Sequence, residues 1–237
     1  MRPILALAAL LLGGVLAREV RAASLEVSPV IVTLAPGQTA STITTTNRAT
    51  TPAAIQARIY RWTQAGGEDV LLPTVEIIVS PPIFTLPGGA TQTIRLMLRG
   101  GSAAAGERSY RLVLDEVPPA AAANRQVTFA LRQSLPVFVG ASPSARPALQ
   151  WRVERGTGGD TTLTAANTGP AYDKITALEV TLADGSHPKM VAHSSSLYVL
   201  GGDEHRWTVQ TRGAGPGGPL HVSVTTMTGQ SELTLTP

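Results

Sequence analysis

The stretch VTFALRQSLPVFV, residues 127–139, places Val127, Phe129, Leu131, Leu135, Val137 and Val139 on one side and Thr128, Arg132, Ser134 and Pro136 on the other. That two-residue period is a strand's. At about 3.3 Å per residue the run extends roughly 40 Å, about twice an ordinary strand, and it carries little charge to blunt an exposed edge. So long an apolar row is more than one small domain covers.

The rest of the chain keeps the same rhythm. Segments rich in Val, Ile, Thr and Leu span 25–34, 39–46, 53–62, 75–79, 91–98, 109–117 and 126–139. Between them lie Ala35-Pro36-Gly37, Asn47 to Pro52, Gly66-Gly67, Ser80-Pro81-Pro82, Pro87-Gly88-Gly89 and Gly100-Gly101, all turn or breaker signals. Seven such strands make one immunoglobulin-like sandwich. After the aperiodic, proline-bearing stretch Gly140 to Pro147, the rhythm resumes at 149–155, 161–166, 175–182, 190–199, 207–211, 220–226 and 232–236. The expectation is an all-β chain of two immunoglobulin-like β-sandwich domains, 23–142 and 148–237, joined by a linker at 143–147. Residues 120–123 follow two prolines and offer no amphipathic face, so they read as loop rather than helix.

At the N-terminus, Met1-Arg2-Pro3 precedes the apolar run Ile4 to Leu16, and Val20-Arg21-Ala22 supplies a small-residue cleavage pattern. Residues 1–22 read as a removable signal peptide. The apolar run falls short of the roughly 20 residues a membrane span needs. Removing the peptide takes three arginines and one acid from totals of 19 basic and 16 acidic residues, which leaves a net charge of +1. With no basic stripe interleaved with aromatics, the sequence gives no sign of nucleic-acid binding. An exported chain without cysteine has no disulfide, thiolate metal site or cysteine nucleophile, so buried cores must hold it together.

A search for chemistry finds little. His187, His193, His205 and His221 show no metal-ligand spacing and read as surface or loop residues. Gly213-Ala-Gly-Pro-Gly-Gly218 matches a phosphate-loop pattern in letters only, because a proline and a strand follow where a helix should open. Asp115 and Glu116 point to opposite faces if they are strand residues, and Asp203-Glu204 reads as a solvated turn after Gly201-Gly202. Trp62, Trp151 and Trp207 sit in apolar strands and read as core rather than as sugar-stacking platforms. No enzyme, cofactor or metal is expected on these residues.

Several segments together resemble the periplasmic, PapD-like pilus-assembly chaperones of the chaperone-usher pathway. SLEVSPVIVTLAPGQTASTITTTNRATTPAAIQARIYRW is similar to that family's first three strands, and SPPIFTLPGGATQTIRL to its double-proline segment and the strand after it. ERSYRLVLDEVPP, a variable loop and VTFALRQSLPVFV resemble its F1 and G1 strands; ARIYRWTQ, SYRLVLDEVP and PALQW are most similar to the archaic, Csu-like branch. The resemblance implies a boomerang of two domains with a cleft, located in the periplasm. Its partners would be pilus subunits, which are sandwiches missing their last strand, and an outer-membrane usher, without nucleic acid, membrane insertion or nucleotide. The G1 strand fills the missing place, a case of β-strand addition. Val127, Phe129 and Leu131 occupy the donor positions; burying three such side chains contributes roughly 5 to 8 kcal/mol before the cost of association.

The sequence departs from the best-known branch where its cleft cations bind the subunit's terminal carboxylate, since Pro29 and Pro136 hold those places. A carboxylate leaving water still needs a cation, and arginine offers bidentate geometry. Arg111 matches the archaic branch's arginine on the F1 strand; Arg132, sharing a face with Pro136, and Arg58 are further candidates. The alternative reading from a different class is an exported immunoglobulin-like adhesion or carbohydrate-binding module that contacts its ligand through aromatics or loops.

Overall fold

The computed structural model describes residues 25–100, 106–117, 130–156, 160–211 and 218–237. The expected signal peptide and the donor positions Val127 and Phe129 lie outside these residues. Within them every helical or extended element is a strand: β1 (Leu25–Ser28), β2 (Val32–Leu34), β3 (Ala40–Asn47), β4 (Ala53–Ala65), β5 (Glu68–Pro73), β6 (Ile77–Ser80), β7 (Ile83–Leu86), β8 (Thr91–Leu98), β9 (Arg108–Val117) and β10 (Arg132–Val139) come first. After them follow β11 (Leu149–Arg155), β12 (Thr161–Asn167), β13 (Asp173–Thr181), β14 (Met190–Ala192), β15 (Tyr198–Val199), β16 (Glu204–Val209), β17 (Leu220–Thr226) and β18 (Gln230–Leu235).

The first ten strands form two sheets, ordered β1-β3-β8-β6 and β2-β10-β9-β4-β5, with β7 also pairing β4. The last eight form two more, β11-β12-β16-β14 and β15-β13-β17-β18. Each pair of sheets encloses its own core. Ile43, Ile55, Ile94, Leu96, Leu112, Leu114 and Val137 fill the first. Leu163, Ile175, Trp207, Val209, Val222 and Val224 fill the second. One buried asparagine ties down a turn in each domain. Asn47 donates to the carbonyls of Thr51 and Leu86, and Asn167 to those of Ala171 and Val199.

Two expected strands each split between sheets. The run 25–34 is β1, antiparallel to β3, and then β2, parallel to β10 in the opposite sheet. Between them lies Pro29, which lacks a ladder N–H, followed by the exposed Val30. Likewise the run 190–199 is β14 and β15, which belong to different sheets and are separated by Ser194 to Ser196. Two strands, β5 and β7, lie where the sequence pattern gave no strand. β5 carries charge and ends in proline, yet it pairs because Gly66 and Gly67 both adopt positive φ (61° and 86°) between Ala65 and its partner Glu68. That is the backbone of a two-residue hairpin turn.

From Leu135 onward β10 is buried on both faces. Leu135, Val137 and Val139 enter the first core. Phe138 points the other way, into a third cluster with Trp62, Tyr198 and Leu200 that Ile31 and Tyr172 also join. Its ring stacks on that of Tyr172 with centroids 3.6 Å apart, and Tyr198 meets Trp62 edge-on at 5.5 Å. This cluster draws on both domains and joins them beside β9 and β10.

Candidate functional site

The site grows from the outward face of β4, β9 and β10. In register, Pro136 stands opposite Arg111, which stands opposite Tyr60; Ser134 stands opposite Val113 and Arg58; Arg132 stands opposite Asp115 and Gln56. The three candidate arginines therefore share one face of one sheet, but their surroundings differ. Arg58 and Arg132 both pair with Asp115, Arg132 through Nε at 2.5 Å, and their side chains are 41% and 68% exposed. Burial pushes the Asp115 carboxyl up, but the hydrogen bonds from Arg132 and Arg58 outweigh it and hold the group below the usual carboxylate range.

Arg111 is 9% exposed. Its guanidinium carbon lies 3.7 Å from the Trp62 ring centroid and 5.3 Å from that of Tyr198, and Nη2 donates to Ser196 Oγ at 2.9 Å. Among the described residues no ion pair neutralises it. Burial lowers its pKa, opposed by the charge of Asp69. The guanidinium edges a cleft of about 660 Å³ whose walls include Asp69, Ser134, Lys174, Ser196 and Tyr198. A cation stacked on aromatics and partly stripped of water is well suited to a carboxylate that enters the cleft.

Along β10 the backbone divides into two parts. β2 pairs only with Val137 to Val139, so Arg132 to Pro136 have β9 on one side and no strand on the other among the described residues. Glu116 N donates to Leu131 O, and in an antiparallel ladder this spacing turns the backbone groups of Arg132, Ser134 and Pro136 away from β9. Pro136 thus sits where β9 needs no N–H, and it ends a short free edge. Leu131 itself is half-buried against the first core. Gln133 donates to Leu25 O at 2.7 Å, which ties this free part of β10 to β1.

Several residues of the site were not visible in the sequence. Lys174 reaches the cleft from β13, with Nζ 5.2 Å from the Tyr198 ring, and Ser196 contacts Arg111 from the segment between β14 and β15. Asp203 is not part of a solvated turn: it is half-buried and accepts from Gln64 N at 3.0 Å, because the β4–β5 hairpin packs over it. Its neighbour Glu204 pairs with Arg152 and Arg206. His205 is not at the surface; it is 0% exposed and packs edge-on against Trp207 at 4.4 Å. Glu107 accepts from Tyr172 N at 3.0 Å across the domain junction, and burial pushes its pKa up to about 7. Among the described residues no group of three His, Cys, Asp or Glu side chains could hold a metal ion. The described Trp, Tyr and Phe side chains are all buried or half-buried.

Two immunoglobulin-like sandwiches meet beside a cleft that holds Arg111 and Lys174 together with Glu68 and Asp69. Residues 24–145 match the family model for the pili and flagellar-assembly chaperone, PapD N-terminal domain, and the chain belongs to that family. No curated protein matches the sequence. Among solved structures, the chaperone-tip adhesion subunit pre-assembly complex CsuC-CsuE from archaic Csu pili of Acinetobacter baumannii matches with a TM-score of 0.69 and 22% identity, covering 90% of this chain and 98% of that one. The Salmonella enterica SafA pilin complex with the SafB chaperone matches at 0.59 and 18%, covering 92% and 97%. The Pseudomonas aeruginosa CupB2 chaperone matches at 0.56 and 16%, covering 88% and 98%. At these identities the likeness concerns the fold. Among the described residues no helix is long and apolar enough to cross a membrane.

Proposed function

We propose that this protein is a periplasmic chaperone of the archaic, Csu-like branch. It captures pilus subunits by lending the Val127 to Leu131 half of the 127–139 stretch as the strand they lack, then hands them to an outer-membrane usher. Export follows from the leader at residues 1–22, and residues 143–147 link the domains. The partners come from the family and from solved relatives that hold a tip adhesion subunit or a pilin.

The observation that carries this reading is the divided β10. One half is closed by β2; the other, among the described residues, has β9 on one side and no strand on the other. An added strand gains hydrogen bonds along such an edge, while alternate side chains fill the partner's open core. Arg111, at the cleft end of the same face, supplies the cation for the subunit's terminal carboxylate. Arg58 and Arg132 are already committed to Asp115.

The test is co-expression with the cognate subunit. The wild-type chain is expected to yield a soluble one-to-one complex. Phe129→Asp combined with Leu131→Asp is expected to abolish that complex while circular dichroism still reports a folded chaperone. Normal capture by the double variant sinks donor-strand binding through this segment.

A further inference from the structure

The junction between the domains centres on a residue with no part in the carboxylate site itself. Gln64, near the end of β4, is 7% exposed, and its carboxamide is fully engaged. Its Nε2 donates to Tyr198 O at 2.8 Å and to Asp69 Oδ1 at 2.9 Å, while its Oε1 accepts from Leu200 N at 3.0 Å. The backbone N of Gln64 donates to Asp203 Oδ2 at 3.0 Å. A carboxamide carries the donor and acceptor of a peptide group. Here it satisfies the edge of β15 turned away from β13, as one residue of a neighbouring strand would.

The second-domain segment held this way carries two contacts to Arg111. Ser196 accepts from the guanidinium, and the Tyr198 ring lies against it. Tyr198 N also donates to Ser196 Oγ at 3.4 Å, so the two contacts move together. Arg111 and Gln64 both belong to the first domain, which leaves Gln64 as the clamp that holds segment 196–200 over the arginine.

We propose that Gln64 is a positioning residue: its side chain fixes the second domain against the first at β15 and thereby sets the cleft wall over Arg111. The part of this inference that concerns capture rests on Arg111 being the carboxylate anchor; the part that concerns domain orientation does not.

Because the chain has no cysteine, spin labels can be placed through Thr42→Cys and Glu179→Cys, two exposed positions on separate domains of the full protein. The interlabel distance distribution is then compared with the dissociation constant for the co-expressed pilus subunit. Gln64→Met keeps the volume and removes the hydrogen bonds. It is expected to broaden the distribution and weaken capture about tenfold, as stranded buried backbone groups would.

Gln64→Glu separates hydrogen bonding from bulk. At pH 5 a protonated carboxyl can donate to Tyr198 O and accept from Leu200 N, so the distribution stays near wild type. At pH 8 the carboxylate faces that carbonyl together with Asp69 and Asp203, with Arg111 across the Tyr198 ring, and the distribution is expected to broaden. The wild-type chain is measured at both pH values, because Glu107 titrates at about 7 at the same junction.

Unchanged distributions in Gln64→Met and in Gln64→Glu at pH 8 overturn the proposal. Should Gln64→Met fail to fold, the pH comparison in Gln64→Glu decides alone. Arg111→Gln in the same assay isolates the other reading: full capture by that variant rejects the anchor, while the distance distributions still judge Gln64.

Discussion

The two ends of the outward face of β4, β9 and β10 handle charge in opposite ways. Toward the start of β10, Asp115 sits between Arg58 and Arg132, so both guanidinium groups already share one carboxylate in partial contact with water. Toward the domain junction, the buried Arg111 and the half-buried Glu107 have no ion-pair partner among the described residues. There desolvation dominates: it lowers the pKa of Arg111 and raises that of Glu107. Arg111, which keeps its charge at the cost of solvation, is prepared for a partner that arrives later, whereas a paired group has less left to offer.

The largest effect expected from this contrast is on capture. Arg111→Ala should weaken binding of the pilus subunit by about 100-fold or more, as loss of one member of a desolvated charge pair does, when read by titration calorimetry. Arg58→Ala and Arg132→Ala should each stay within about threefold of wild type in the same measurement. A loss at Arg132 equal to that at Arg111 breaks the division of the face.

Next in size is Glu107. Its folded pKa of about 7 lies above the usual 4.5, so the unfolded chain gives up this proton first and stability falls as pH rises between those values. Glu107→Gln keeps an acceptor for Tyr172 N. It should stabilise the protein by on the order of 2–3 kcal/mol at pH 8 and by almost nothing at pH 4, as read by urea denaturation at the two pH values. Equal effects at both values contradict a raised pKa at Glu107.

The smallest effect belongs to Asp115, whose pKa is depressed, so its contribution to stability is present above pH 3.8 and fades as pH falls through the lower folded value. Asp115→Asn should cost only about 1 kcal/mol at pH 7, because both arginine partners are more than a third exposed and solvent screens them. Thermal denaturation at pH 7 and pH 3 measures the difference, which should shrink at the lower pH. A cost that persists undiminished at pH 3 points to packing rather than charge.

Much of the fold could be read directly from sequence. The strands β3, β8, β9, β11 and β17 lie within a residue or two of the apolar, β-branched runs that predict them, because each buries alternate side chains in a core. The splits at 29–31 and 193–197 were hidden, since a strand that leaves one sheet for another keeps the same alternation throughout. The strand β5 was hidden for the opposite reason: most of it is exposed, and it owes its place to the Gly66-Gly67 turn rather than to a core face. At the site, Arg111 was identified through family resemblance and Pro136, and the structure puts those two residues opposite each other. Nothing in the sequence linked Arg111 to Ser196, or Gln64 to Tyr198, across 85 and 134 positions of chain.

By itself, then, the amino-acid order determined an all-β chain of two sandwiches and marked 127–139 as a strand too apolar for one domain. Periodicity and turn residues are local properties, and they act before the chain folds. Tertiary structure alone decided which half of β10 is closed by β2, which of three arginines has no carboxylate paired with it among the described residues, and that His205 and Asp203 are withdrawn from the surface. Those outcomes depend on what lies across a sheet or a domain junction, where desolvation and pairing are fixed by neighbours far away in sequence.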